Sequence, residues 1–440
     1  MRKFLLLLGD IAVLYLALFL TLLVRYGKDF DNKLDVHLLP FSFIFIIWIL
    51  VFYIANLYEL GFSKNNLEFF STFLYSMAAN FAISIAFFYL IPFLGITPKT
   101  NLLIFVVLAT ILQSSWRYGF NKLIAQSGHK NNTLIIGVSP QSQDLYDFLL
   151  ANPQLGYGAL GIIDVEDSTV PNILENLIRQ KRVSTLVLGP SVYKILQIID
   201  VFYRLLGLKI NFYNLSDFYE RVTGKVPLGA IDQTWFLGNL SEGNKRGYEV
   251  GKRIFDFIFS LILGVISLAL YLFIIPAIKA DSAGPIFYRQ LRRGRAGKNF
   301  TMLKFRTMIK DAENSNGAVW AQQDDRRITR AGKFLRKTRL DELPQLWNIL
   351  HGEMSFVGPR AERPEFHKEL EENIPFYDER YLIKPGLSGW AQIKFRYGAS
   401  IKDAAEKLQY DLYYIKNRSF LLDLGIVLKT ITIVLRKEGR

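Results

Sequence analysis

Four long apolar runs occupy most of the first 120 residues: 4–24, 38–57, 72–94 and 102–116, the last continuing weakly to Phe120. Each approaches the roughly 20 residues that a helix needs to cross the hydrocarbon core of a bilayer. Four in succession predict a membrane protein with four transmembrane helices over residues 1–122. The composition agrees, at 51% hydrophobic and 14% aromatic. The first run follows Met1-Arg2-Lys3, but it is too long for a signal peptide and lacks a small-residue cleavage site, so it reads as a retained helix. Asp10 lies inside it, where an ionisable group is expensive; it is expected to face the other helices or to snorkel towards the interface.

Charge is distributed differently. The chain holds 53 Lys and Arg against 39 Asp and Glu, a net +14, while residues 1–120 carry 8 basic and 6 acidic side chains, leaving +12 for residues 121–440. A basic soluble part beside an apolar part suggests anionic headgroups, phosphorylated substrates or nucleic acid as partners. Arg2, Lys3, Lys64, Arg117, Lys122 and Lys130 flank the runs on one side, against Arg25, Lys28, Lys33 and Lys99 on the other. This excess favours a cytoplasmic N-terminus. The absence of cysteine excludes disulfides, thiolate zinc sites and a cysteine nucleophile. His37, His129, His351 and His367 show no ligand spacing, which speaks against a histidine-based metal centre.

After residue 131 the pattern changes. Short apolar segments at 133–138, 161–164, 185–188 and 209–212 alternate with helical stretches, as in a doubly wound parallel sheet, and predict a Rossmann-like α/β module over residues 123–240. The first turn, from Gly137 to Gln143, contains one glycine and a proline, so it is not a G-x-G-x-x-G phosphate cradle. A nucleotide site and a structural or regulatory role both stay open for this module. A fifth apolar run, 257–278, is uncharged for 22 residues and opens a mixed α/β domain over 248–440, with a membrane helix at 254–279. If this segment dips in and returns, Asn244 and Asp281 lie on the same, cytoplasmic face. The stretch 420–435, with Lys429 and then Arg436-Lys437, suits a membrane surface.

The chemistry concentrates in this last domain. Arg326, Arg327, Arg330, Lys333, Arg336, Lys337 and Arg339 form a cationic run with no acid among them. Next comes Leu340-Asp-Glu-Leu-Pro-Gln345, where Asp341 is placed as helix N-cap and Glu342 in the first turn. An ordinary capped helix explains such a pair. Adjacent carboxylates backed by cations can also hold Mg²⁺ and present a nucleophile to a diphosphate, with the cations keeping Asp341 ionised and stabilising phosphate charge. The strand-like Met302-Leu-Lys-Phe-Arg-Thr-Met308 sets Lys304 and Arg306 on one face, and Val357-Gly-Pro-Arg360 brings an arginine close after the carboxylates.

These segments resemble, in order, the motifs of the bacterial sugar transferases, the polyprenyl-phosphate sugar-1-phosphate (monotopic phosphoglycosyl) transferases. They are Lys252-Arg-Ile-Phe-Asp256, Gly284-Pro-Ile-Phe287, Lys304-Phe-Arg-Thr-Met308, Leu340-Asp-Glu-Leu-Pro-Gln345, Ser355-Phe-Val-Gly-Pro-Arg360 and Lys384-Pro-Gly-Leu-Ser-Gly-Trp-Ala-Gln392. The resemblance covers about residues 248–440, and the preceding regions look like the long form of the family. It implies transfer of a sugar-1-phosphate from a UDP-sugar to undecaprenyl phosphate with release of UMP, through an aspartyl ester on Asp341. This is the first membrane step of exopolysaccharide, capsule or O-antigen synthesis.

The resemblance further implies that Asp341 and Glu342 hold Mg²⁺, that Lys304, Arg306, Arg336 and Arg360 contact phosphate, and that Asp411, in Tyr410-Asp-Leu-Tyr-Tyr414, belongs to a family motif. It implies a multi-pass protein of the bacterial inner membrane, with a cytoplasmic catalytic domain, a re-entrant membrane helix and lipid contacts; a homo-oligomer is also compatible. The family usually has a proline midway along that helix, whereas this chain has Leu268 and Ala269 there and Pro276 near the far end. Every candidate lies after residue 248, so residues 1–240 are expected to be dispensable for the chemistry. A non-enzymatic membrane scaffold for polysaccharide assembly is the competing reading. No motif supports nucleic-acid binding.

Overall fold

The computed structural model describes residues 2–60, 62–90, 99–126, 131–165, 170–240, 245–309, 327–395 and 400–435. His129, Lys130, Asn244, Arg326, Arg436 and Lys437 lie outside these. The chain divides into two compact units, Met1–Asn214 and Leu215–Arg440.

The first unit begins with α1 (Arg2–Tyr26), α2 (Phe30–Ile54), α3 (Leu67–Leu90) and α4 (Lys99–Gln126). By length and composition the helical stretch Arg2–Ile54, α3 and Thr100–Ile124 of α4 are each apolar enough to cross a membrane. They share an aromatic core in which Phe41, Trp48, Phe52, Phe69, Phe73 and Phe105 are fully buried. Asp10 faces this interior, where it forms an ion pair with Arg117 of α4. Arg117 also donates to the Leu57 carbonyl at 2.7 Å. Burying either charge alone would be costly, so the pair fixes how α1 and α4 meet.

The unit continues with β1 (Asn131–Ile136), α5 (Pro140–Ala151), β2 (Tyr157–Ile163), α6 (Val170–Gln180), β3 (Thr185–Leu188), α7 (Leu196–Leu205) and β4 (Asn211–Asn214). The sheet is parallel in the order β2-β1-β3-β4. Leu134, Ile136, Leu186 and Leu188 pack with Leu174 and Ile178 of α6 and Ile198, Val201 and Phe202 of α7. Ile135 and Val187 alternate to the other face, as strand periodicity requires. The strand expected at 209–212 lies at Asn211–Asn214.

The second unit opens with α8 (Leu215–Thr223) and α9 (Gln233–Asn239). Residues 215–239, grouped by sequence with the α/β module, contribute Val226 and Trp235 to a core shared with Val357, Leu370, Tyr377, Leu408 and Leu412. Next comes α10 (Arg246–Asp281), a helix of 36 residues that runs unbroken through Leu268 and Ala269 and accommodates Pro276. Its middle exposes Val265, Ile266, Leu268, Leu272 and Phe273.

Beyond it lie β5 (Phe287–Arg293), β6 (Asn299–Phe305), α11 (Arg330–Thr338), α12 (Gln345–His351), β7 (Ser355–Val357), α13 (Pro364–Asn373), β8 (Gly386–Ser388), α14 (Trp390–Lys394), α15 (Ile401–Asn417) and α16 (Phe420–Leu435). Antiparallel β5-β6 and parallel β7-β8 form two small sheets. Along α16, Phe420, Leu421, Leu424 and Ile431 are exposed while Lys429 is buried, its ammonium 5.9 Å from the Trp390 ring centre.

Both ends of α10 are fastened to this one unit. Near its start, Asp256 Oδ1 accepts from Phe356 N at 3.1 Å and Ser355 Oγ at 3.2 Å. Arg253 donates to the Ile349 and Leu350 carbonyls, both at 2.7 Å, covering the carbonyl end of α12. Near its finish, Ile274 and Ile278 pack with Phe305 and Leu335. There Asp281 Oδ2 accepts from Ala331 N at 2.7 Å.

Candidate active site

The two central carboxylates sit where α11 gives way to α12. Thr329 caps α11 by accepting from Gly332 N at 3.0 Å, and Arg339 ends it in the left-handed region at φ 59°. Leu340–Glu342 then form a 3₁₀ turn, and α12 begins only at Gln345. Asp341 is therefore not the side-chain N-cap expected from sequence. Pro344 has no N–H to donate to Leu340, so the chain closes i→i−3 bonds instead: Leu343 N to Leu340 O at 3.3 Å and Trp347 N to Pro344 O at 3.1 Å.

Close packing holds the surrounding elements in place. A Cβ on Gly332 would stand 2.0 Å from the Thr307 carbonyl oxygen, so only glycine lets α11 approach the end of β6. Arg336 Nε then donates to Thr307 Oγ1 at 2.8 Å. Asn348 of α12 continues the hydrogen bonding of β6, accepting from Leu303 N at 3.0 Å and donating to Thr301 O at 2.8 Å. This places Lys304, at the end of β6, beside the carboxylates.

Glu342 is nearly buried, and one of its oxygens, Oε1, faces three cations: Lys304 Nζ at 3.0 Å, Arg360 at 3.4 Å and Arg339 at 3.5 Å. Burial alone would raise its pKa, but Lys304, Arg360 and Arg339 together outweigh that and hold the carboxyl well below the usual range. Asp341 is equally buried yet has no hydrogen bond or ion pair among the described residues. Burial foremost, with the adjacent Glu342 charge, pushes it up to about 6 against the pull of Lys304, Arg336 and Arg339. Burial likewise draws Lys304 below its ordinary value. One oxygen of Glu342 therefore gathers three cations and its carboxyl is held ionised, whereas Asp341 has no side-chain partner among the described residues and its pKa is pushed up to about 6.

The structure separates the candidates expected from sequence. Lys304 and Arg360 meet at Glu342, and Arg336 stands within electrostatic reach of Asp341. Arg306 turns instead to the far end of α10, donating to Ser282 O at 2.6 Å and Ser282 Oγ at 3.1 Å. Asp411 is buried on α15 and pairs with Arg380 at 2.9 Å. Arg380 in turn donates to the Arg360 carbonyl at 3.1 Å. Burial pushes Asp411 up to about 6 despite Arg380. Sequence reasoning named Arg339 only within the cationic run and missed Asn348 and Arg380. The one local signal was a polar residue, Asn348, on the buried side of an apolar helix.

The model of the family described as bacterial sugar transferase matches residues 247–437. A UDP-N-acetylgalactosamine-undecaprenyl-phosphate N-acetylgalactosaminephosphotransferase of Aeromonas hydrophila is 39% identical over 227 residues, 52% of this chain and 53% of the relative. A UDP-glucose:undecaprenyl-phosphate glucose-1-phosphate transferase of Xanthomonas campestris pv. campestris is 34% identical over 300 residues, 67% of this chain and 60% of the relative. An uncharacterised sugar transferase of Bacillus subtilis is 39% identical over 192 residues, 43% of this chain and 89% of the relative. The chain thus spans a little over half the length of the first two. With Lys304 and Arg360 of two ordered motifs meeting at Glu342, and with nine-tenths of the Bacillus protein covered at 39% identity, the chain belongs to the bacterial sugar transferase family.

Proposed function

We propose that the protein transfers a sugar-1-phosphate from a UDP-sugar to undecaprenyl phosphate, releasing UMP and forming undecaprenyl-diphosphate-sugar. The observation that carries this reading is the Asp341 carboxylate, without a partner among the described residues, beside a Glu342 that faces three cations. A scaffold has no use for such a pair.

In the first step an Asp341 oxygen attacks the sugar-bearing phosphorus of the donor. The bond from that phosphorus to the oxygen bridging the two phosphates breaks, and UMP leaves with the electron pair. In the second step a phosphate oxygen of undecaprenyl phosphate attacks the same phosphorus and the aspartyl oxygen departs, restoring Asp341. Lys304, Arg336 and Arg360 offset the charge gathered on phosphate oxygens. The hard carboxylate oxygens of Asp341 and Glu342 suit Mg²⁺, and those of Asp341 have no other partner among the described residues. When bound, the ion would further neutralise the diphosphate.

The fastening of both ends of α10 to one unit supports entry and exit on the same membrane face, with α10 re-entrant. A straight crossing would draw that polar unit into lipid. Because nucleotide sugars are cytoplasmic, the reading places the unit on the cytoplasmic face of a bacterial inner membrane.

The test is to incubate purified protein with undecaprenyl phosphate, Mg²⁺ and a panel of UDP-sugars, measuring UMP. Release with one donor, abolished in Asp341→Asn, supports the reading. Full activity in that variant, or no release from any donor, overturns it.

A further inference from the structure

A second cluster lies outside this site. His367 and Glu371 are four residues apart on α13 and so share a face of the helix. The chain then reverses through Phe376, which takes the left-handed conformation at φ 61°, and returns as the 3₁₀ turn Tyr377–Leu382, bringing Asp378 over the same face. His367 is only 5% exposed. Its Nε2 stands 3.3 Å from Glu371 Oε2 and 3.3 Å from Asp378 Oδ1. Yet the ring's one hydrogen bond is at Nδ1, 3.5 Å from Tyr381 OH. A buried imidazole nitrogen is thus aimed between two carboxylates at 3.3 Å from each, with a hydrogen bond to neither among the described residues, while the carboxylates, half-exposed, keep access to solvent.

These distances are informative. Zinc bound at about 2.0–2.1 Å in tetrahedral geometry sets its ligand atoms about 3.3–3.4 Å apart. That is the spacing from His367 Nε2 to both oxygens, and all three ligand atoms lie within 4.8 Å of one another. Tyr381 OH occupies the place where a metal-bound histidine commonly finds a partner for its other nitrogen. Two carboxylates and a neutral imidazole form an N/O donor set suited to zinc, with the fourth position open to water.

We propose that His367, Glu371 and Asp378 bind a divalent transition-metal cation of the zinc type. The ion would staple the 3₁₀ turn to α13. That turn carries Arg380, which holds the Arg360 carbonyl and Asp411, so the staple would stiffen the support of the active site without touching substrate. The four histidines show no ligand spacing along the chain; here the partners of His367 are carboxylates, one of them brought over by the turn at Phe376.

The experiment uses untagged full-length protein in detergent, stripped with chelator and titrated with zinc against a chromophoric indicator. Wild type and Asp341→Asn should each bind one equivalent in competition with the indicator, and the wild-type melting midpoint should rise with zinc. In His367→Ala and Glu371→Gln, affinity should fall at least about tenfold and the thermal shift should vanish. Glu371 is half-exposed, so that variant decides the matter if His367→Ala fails to fold. Absence of competing zinc binding in wild type, or wild-type affinity in Glu371→Gln, overturns the proposal. Loss of zinc in Asp341→Asn would assign the ion to the carboxylate pair instead and overturn it equally.

Discussion

Glu342 draws Lys304, Arg339 and Arg360 to a single carboxylate oxygen, while Asp341, its neighbour in sequence, has no side-chain partner among the described residues. The asymmetry divides the labour. On the proposed mechanism Glu342 stays ionised and orders the cations, and Asp341 supplies the reacting oxygen.

If Asp341 is the nucleophile, its pKa, pushed up to about 6, should set the acid limb of activity. Protonation removes the nucleophile, so kcat/KM for UMP release should be full above pH 7 and fall as pH drops through about 6. Lys304 is the leading influence holding Asp341 down, so Lys304→Gln should move that limb to higher pH as well as lower the rate. A pH–rate series on both proteins checks this; an unmoved limb would assign the titration to another group.

Removing the charge of Asp411 leaves the Arg380 guanidinium buried with weaker compensation. Asp411→Asn is expected to cost up to about 3 kcal/mol, seen as a lower midpoint in denaturant. Because Arg380 holds the Arg360 backbone, KM for the donor should rise more than kcat falls. Unchanged stability and KM would remove Asp411 from any supporting role.

Gly332→Ala places a methyl against the Thr307 carbonyl, a backbone group that cannot swing away. The helix bearing Arg336 must shift, so activity should fall at least about tenfold. Gly247→Ala, with open space around it, should leave activity unchanged. Equal activities in the two variants would contradict the close approach of α11 to β6.

Single cysteines at Asn244 and Asp281 of the cysteine-free chain should both be protected from a membrane-impermeant thiol reagent in intact cells and both label after lysis. Labelling of position 281 alone from outside would demonstrate a true crossing by α10.

Truncation separates chemistry from folding. A fragment of residues 215–440 keeps Val226 and Trp235 on their core and should release UMP in detergent. A fragment beginning at Gly247 uncovers that core and should melt at a lower temperature. An inert but well-folded 215–440 fragment would show that the first unit contributes to catalysis.

Features that the chain writes locally were legible in its sequence. Apolar runs of membrane length, the alternation behind the four parallel strands, the cationic run and the Asp341-Glu342 pair all depend on residues close together along the chain, where periodicity and charge density speak directly. Tertiary structure decided what depends on distant partners. Lys304 reaches Glu342 across 38 residues, whereas Arg306, two positions on, is captured by carbonyls at the end of α10. Residues 215–239 join the second unit because their apolar side chains find their cover there. The unequal environments of Asp341 and Glu342 arise from three cations placed within 3.5 Å of one oxygen. Linear spacing does not encode that arrangement, because it results from the packing of β6, α11 and α12.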